Sequence, residues 1–235
     1  MRKIIAFILL SSFCFFISCN VENKENNIKT EIDLDTDVIL LEEDETLINV
    51  ADLPVKFDSI PILIHPLGYY SIGSNGKYFH SKSSDNNNYN TISNFYNDEI
   101  YGEMTNLLFE NLQSKEIIKL TEKKMIIRKV VFLRDLFNNT KDEVLIYDAV
   151  DTDTNKDKKL DFLDESSLFV SSSDGSNFKK LSKINHQLLA YKFIKANNTL
   201  YFKTSLSEEE KIIFHYYQLD LSSKQNVVKE YFPIN

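Results

Sequence analysis

The segment Asp153-Thr154-Asn155-Lys156-Asp157-Lys158-Lys159-Leu160-Asp161-Phe162-Leu163-Asp164 carries oxygen-bearing side chains at its positions 1, 3, 5, 9 and 12. That spacing fits a twelve-residue loop wrapped around calcium, a hard cation that takes six to eight oxygen ligands. Asp153, Asn155 and Asp157 supply side-chain oxygens, Lys159 its backbone carbonyl, Asp161 a direct or water-borne ligand, and Asp164 the closing carboxylate. Leu160, at position 8, is expected to pack on the core. Four carboxylates drawn within about 5 Å of one another repel by roughly 3 kcal/mol per pair at an effective dielectric near 20. A cation is therefore expected to hold the loop closed. The alternative is a metal-free, solvated loop in which Lys156, Lys158 and Lys159 offset part of the charge.

The segment resembles the EF-hand loop, and more closely its dockerin-type variant, in which Asp closes the site in place of Glu. In that family position 6 is Gly, which admits a positive φ; here it is Lys158, a departure that costs roughly 1 kcal/mol and implies weak affinity. The flanking Glu143–Val150 reads as a strand, so a structural role is expected, pinning a long connection in a β protein, and not that of a paired helical sensor.

No nucleophile elbow, phosphate loop or His-Glu-x-x-His motif occurs in the chain. His65, His80, His186 and His215 are scattered beside apolar residues and read as satisfied core or surface histidines. A non-catalytic protein is expected; an envelope hydrolase without a recognisable motif is the alternative.

The elements that must hold such a loop read as strands. Val144–Tyr147, Leu168–Val170, Leu200–Phe202 and Ile212–Tyr217 are short β-branched or aromatic runs bounded by polar turns. Met125–Leu136 has helical length, but Ile126-Ile127 and Val130-Val131 favour a strand. Strand, polar turn and return strand recur at Leu108–Thr121, Leu168–Ser182 and Phe214–Tyr231. These hairpins resemble the TolB-like propeller repeats, most closely at Leu168–Ser182 with its Asp174-Gly175 turn. The expected fold is all-β and mainly antiparallel, an incomplete or small propeller-like arrangement of hairpins, with a β-sandwich as the alternative. Ile32–Val50 reads as an edge strand with an acidic face or, alternatively, as an acidic interaction tail. The stretch 81–97, rich in Ser, Asn and Asp with Tyr89, Phe95 and Tyr96 interleaved, reads as a long loop whose aromatics cover the core or, alternatively, bind a sugar ring.

Composition and termini place this body in the cell. The chain has 235 residues with 43% hydrophobic content, enough for one self-sufficient core, and a charge of -8 that argues against nucleic acid as partner. Residues 1–18 combine Arg2-Lys3, an apolar run from Ile4 to Ile17 and Ser18, the parts of a secretory signal, with an uncleaved anchor helix as the alternative. Phe16-Ile17-Ser18-Cys19 resembles the lipobox of bacterial lipoproteins. That resemblance implies cleavage before Cys19, diacylation of its sulfur and acylation of its new amino group. Several acyl chains, at about 0.8 kcal/mol per buried CH₂, anchor lastingly where one is marginal. Cys14 leaves with the signal, so the mature chain holds no disulfide, and its 25 basic against 35 acidic residues give it a charge of -10. Residues 19–31 then form the lipidated Cys and a flexible tether, and 32–235 a single, mostly β domain. Asn20 after the Cys, in place of Asp, points to the outer membrane. The expected partners are the membrane, through the lipid, and a protein or glycan at the envelope.

Overall fold

Apolar runs separated by polar turns become antiparallel strands throughout. The computed structural model describes residues 47–72, 79–81, 92, 98–208, 211–223 and 227–233. All belong to the unit Thr36–Asn235, which the chain's contacts separate from Met1–Asp35. The signal segment, Cys19, the tether and most of the 81–97 loop lie outside the described residues.

In chain order the strands begin with β1 (Leu47–Ala51), β2 (Ile62–Ile72), β3 (Phe79–Ser81), β4 (Glu99–Met104), β5 (Asn106–Asn111), β6 (Ile117–Lys119) and β7 (Ile126–Phe132). A short helix, α1 (Arg134–Thr140), precedes β8 (Val144–Val150), β9 (Ser167–Ser172) and β10 (Lys179–Lys180). The chain ends in β11 (Gln187–Ile194), β12 (Thr199–Glu208), β13 (Lys211–Asp220) and β14 (Val228–Glu230). Sheet 1 has the order β1-β2-β5-β6 with β3 also on β2, sheet 2 the order β10-β9-β8-β7-β4, and sheet 3 the order β11-β12-β13-β14. The protein is all-β and mainly antiparallel, a succession of three open sheets built largely of hairpins. The hairpins expected at Leu108–Thr121, Leu168–Ser182 and Phe214–Tyr231 are β5–β6, β9–β10 and β13–β14.

Sheet 2 is the middle layer. On β8, Leu145, Tyr147 and Ala149 share a core with Ile64, Leu107 and Phe109 of sheet 1. Ile146, on the opposite face of the same strand, joins Leu200, Phe202, Tyr217 and Leu219 of sheet 3. A strand covered on both faces must be apolar at successive positions, which is why Val144–Tyr147 reads as a run and not as an alternation. Each fully buried large apolar side chain contributes about 1.5–3 kcal/mol, so the two cores together outweigh any single polar contact at the surface.

Two local departures matter. The segment Met125–Leu136, expected as a strand, is β7 up to Phe132 and then α1, which Leu136 anchors in the second core and Lys141 ends in a left-handed turn. The β-branched run stops at Val131, and Arg134-Asp135 puts an acid in the first helical turn. In the β9–β10 hairpin, Gly175 has φ +82° and lies so close to Phe109 that a Cβ would meet its ring at 2.7 Å. The Asp-Gly turn of the repeat thus seats sheet 2 against sheet 1.

Candidate functional site

The twelve-residue loop leaves the end of β8 and is closed on itself by carboxylates accepting from backbone amides. Asp153 accepts from Lys156 N at 2.6 Å through Oδ1 and from Lys158 N at 2.8 Å through Oδ2. Asn155 Oδ1 accepts from Asp157 N at 2.9 Å, and Asp157 Oδ1 from Lys159 N at 2.8 Å. Asp161 Oδ1 accepts from Leu163 N at 2.7 Å. Asp164 ties the last position to the first: its Oδ1 accepts from Thr154 N at 2.7 Å and Asn155 N at 3.2 Å, and its Oδ2 from Asp161 N at 3.1 Å. Lys158, at position 6, has φ +67°, the left-handed conformation for which Gly is the usual residue, and Lys156 has φ +63°. Leu160 is buried with Ile126 and Val150, as position 8 leads one to expect.

The loop residues therefore share one curled backbone, but their carboxylates are turned onto amides. Among the described residues no three carboxylate, imidazole or thiolate groups converge on a common point. The expected close quartet of acids is replaced by charge-assisted hydrogen bonds, each worth about 1.5–3 kcal/mol. Asp161 and Asp164 are buried, at 4% and 3% exposure, while Asp153, Asn155 and Asp157 lie toward solvent.

Beneath the loop sits a charged cluster that the sequence does not announce. The register of β7 against β8 slips between Ile127 and Lys129, and that of β4 against β7 between Tyr101 and Met104. Such bulges re-aim a side chain, here Arg128 on one strand and Glu103 on the other. Gly102, at φ +143°, permits the second irregularity, and a Cβ there would meet Ile92 Cα at 2.8 Å. Arg128 donates from Nη2 to Phe162 O at 2.7 Å and Asp164 O at 3.1 Å, and stacks its guanidinium 4.9 Å from the Phe162 ring. Burial lowers its pKa while Asp148, Asp164, Asp161 and Glu103 oppose that shift. Glu103 is 7% exposed, and its Oε2 is buried with no hydrogen-bond partner. Burial first, and the charge of Asp161 second, push its carboxyl up to about 7, with Arg128 pulling the other way.

A second polar cluster lies on the inner face of sheet 3. Thr204 and His215 are direct cross-strand partners, and His186, from the turn before β11, covers them. The two imidazoles are 4.6 Å apart between ring centroids. His186 Nδ1 pairs with Thr204 Oγ1 at 2.9 Å, His215 Nδ1 with Glu230 Oε1 at 2.7 Å, and Lys183 Nζ donates to Glu230 Oε2 at 3.1 Å. The bonds from His215 and then Lys183 hold the Glu230 carboxyl below its usual range. Burial, the neighbouring His215 and Lys183 hold the His186 imidazole below its own, whereas His215 is oriented by the Glu230 carboxylate. His186 and His215 are partnered, as expected, but the partners include each other.

The outer face of sheet 3 presents rings. Leu200, Phe202, Tyr217 and Leu219 point into the core, so the alternating residues Tyr201, Lys203, Phe214 and Tyr216 point away from it. Tyr231, whose amide donates to Tyr216 O, lies 5.6 Å from Tyr201 and 6.0 Å from Tyr216 between ring centroids. Lys203 Nζ sits 4.1 Å from the Phe214 ring centroid and 5.4 Å from that of Tyr216. Phe214 is 50% and Ile212 64% exposed. The result is a contiguous strip of rings around one ammonium.

A cleft of about 640 Å³ opens between β8–β9 and the turn after β13, lined by Asp142, Glu143, Ser171, Phe178, Leu221 and Ser222 among others. None of its lining residues is a histidine.

No family model matches the chain, and no curated protein does. A solved structure described as "Oligogalacturonate lyase in complex with manganese" is similar over 78% of this chain and 72% of that one, at 10% identity and a TM-score of 0.23. A likeness of that size says nothing of what this chain binds. Among the described residues no helix is long and apolar enough to cross a membrane.

The Glu103–Arg128 cluster, the histidine pair and the ring strip all escape a reading by motif. Only the last leaves a trace in sequence, the alternation Tyr201-x-Lys203 and Phe214-x-Tyr216.

Proposed function

We propose that the protein is a lipid-anchored component of the bacterial cell envelope, a non-catalytic binding module whose β body carries a structural calcium loop. The observation that carries the binding role is the ring strip on the outer face of sheet 3, where Phe214 is exposed and Tyr201, Tyr216 and Tyr231 lie half-buried beside it. Exposed aromatic patches of this kind mark interaction surfaces, because the apolar area they leave in water is recovered only on binding.

Calcium is supported by the backbone of the loop. Lys158 already adopts the left-handed conformation that the sixth position of a calcium loop requires, and Leu160 is seated in the core. The donor set fits a hard cation: side-chain oxygens of Asp153, Asn155, Asp157, Asp161 and Asp164, with the carbonyl of Lys159. Bound there, the ion would neutralise acids that now rely on amide hydrogen bonds. The anchor rests on the lipobox resemblance at Cys19.

The test is capture from native membranes with the full chain and with Tyr216→Ala. A component retained by the wild type and lost from the variant is expected; identical captured sets would remove the binding role from this face.

A further inference from the structure

Across sheet 3 the register lines up Lys192, Tyr201, Gln218 and Lys229 in one row, and Lys203, Tyr216 and Tyr231 in the next. At about 4.8 Å between strands, the two outer lysines of the first row stand about 14 Å apart, with Tyr201 and Gln218 between them. Among the described residues of this face the one carboxylate is Asp220, one row beyond Lys192–Lys229, where hydrogen bonds from Ser222 and then the charge of Lys229 lower its pKa. It is turned into its own turn, accepting from Ser222 N at 2.9 Å and Ser222 Oγ at 2.6 Å. A protein of charge -8 thus presents one face that is aromatic and basic.

We infer that this face binds an acidic glycan, a chain of sugars bearing carboxylate or sulfate groups. The inference rests on the binding role proposed above and names its ligand class. Three chemistries match. The ammonium groups of Lys192, Lys203 and Lys229 meet the anionic substituents, and within a Debye length of about 8 Å they outweigh acids placed elsewhere on the molecule. The phenols are hydroxyl donors and acceptors suited to a ligand that is itself rich in hydroxyls. They lie close enough together that burial and the neighbouring Tyr201 and Tyr216 raise the pKa of Tyr231. The rings also stand at angles, Tyr201 to Tyr231 at 81° and Tyr216 to Tyr231 at 61°. Successive bases stack on a series of accessible ring faces, which this strip does not offer, since Phe214 is exposed but Tyr201, Tyr216 and Tyr231 are half-buried and tilted against one another. A bilayer is disfavoured because the exposed apolar side chains of β13, Ile212 and Phe214, are confined to the end near the β12–β13 turn, whereas the row Lys192, Tyr201, Gln218 and Lys229 holds no aliphatic side chain, so the face as a whole is not the continuous apolar face that interfacial binding uses.

The experiment measures binding of the full chain, purified in detergent, to immobilised alginate oligosaccharide, heparin oligosaccharide, neutral dextran, oligo-thymidylate and anionic phospholipid vesicles. Binding to alginate shows that carboxylate suffices, and binding to heparin, which carries both groups, without binding to alginate identifies sulfate. In either case dextran should be ignored, and affinity should fall as salt rises from about 50 to about 500 mM. Tyr216→Ala and Lys203→Glu should each weaken binding by about tenfold. Lys192→Glu with Lys229→Glu, which leaves the rings untouched, should do the same. Failure to bind both acidic probes, equal binding of dextran, tighter binding of the oligonucleotide, vesicle binding that Lys192→Glu with Lys229→Glu abolishes (binding through the acyl chains at Cys19 would be indifferent to it), or acidic-probe binding indifferent to that double variant overturns the inference. If the acidic probes fail while membrane capture still depends on Tyr216, the glycan is wrong and the binding role stands.

Discussion

Glu103 offers the sharpest quantitative test of the structure, because its buried carboxyl lies beside Asp161 of the twelve-residue loop with one oxygen unpartnered. Its pKa is raised from 4.5 to about 7, mainly by burial and then by Asp161. A group whose folded pKa lies above its unfolded value stabilises the fold in its protonated form. That contribution is complete below pH 4.5 and is lost as pH rises through about 7. At 1.36 kcal/mol per pKa unit the loss amounts to about 3 kcal/mol. Glu103→Gln removes the charge and keeps the shape, but deprives Arg128 of a favourable neighbour, so the net gain expected at alkaline pH is about 1–3 kcal/mol. For a body of this size that is a rise in melting temperature of about 2–12 °C.

The measurement is urea unfolding of wild type and Glu103→Gln in EDTA at about pH 4.5 and about pH 8.5, followed as the difference between the two proteins. Taking the difference cancels the titration of distant acids and histidines. The variant should equal or trail the wild type in acid and exceed it in alkali. A difference that does not change with pH would mean that Glu103 ionises normally, and that it is hydrated in a way its burial beside Asp161 does not allow.

Other expectations follow from the same structure. Calcium at 100 times its Kd should add about 2.7 kcal/mol, and with an affinity on the order of 10⁻⁴–10⁻³ M millimolar calcium should raise the melting temperature by several degrees over EDTA. Asp153→Ala with Asp157→Ala should abolish that difference, and coincident wild-type curves in the two conditions would refute the site. Cys19→Ala should release the protein from the membrane fraction or block its maturation; a variant processed and retained like wild type would refute the anchor. Gly175→Ala forces a Cβ to 2.7 Å from the Phe109 ring at φ +82° and should destabilise by more than about 2 kcal/mol in urea, where a change under about 0.5 kcal/mol would show that the hairpin does not seat there.

The fold was largely legible because its signals are local. Val144–Tyr147, Leu168–Val170, Leu200–Phe202 and Ile212–Tyr217 each fall inside a strand, and the polar turns between them set which strands pair. α1 was hidden because Leu133 and Leu136 continue the apolar pattern of β7, so pattern alone does not mark where the strand stops. The curl of the twelve-residue loop was legible in its spacing down to Leu160 in the core. The direction of its carboxylates was not. Short acidic side chains bond either to amides two to five residues away or to a shared centre, and the same spacing serves both arrangements.

The clusters that sequence reading missed share one physical cause, which is register. His186 and His215 are 29 positions apart in sequence and meet because β12 and β13 pair Thr204 with His215 while the turn before β11 lays His186 over that pair. Shifting that pairing by one residue would turn His215 outward among the rings and Phe214 inward beneath His186. Arg128 and Glu103 meet because of two slips, each of which adds a residue to one strand of a ladder and so breaks the alternation from which a face is inferred. An aromatic run such as Ile212-Ile213-Phe214-His215-Tyr216-Tyr217 is apolar at both parities, so neither face can be assigned to the core from its own residues. The assignment comes from the partner strand, where Phe202 and Leu200 are buried and Tyr201 and Lys203 flank them. Lysine at the outward parity keeps this exposed sheet surface from pairing with another hydrophobic face, and it is also what gives the surface a preference for anions. The feature that protects the strip from aggregation and the feature that selects its ligand are therefore the same side chains.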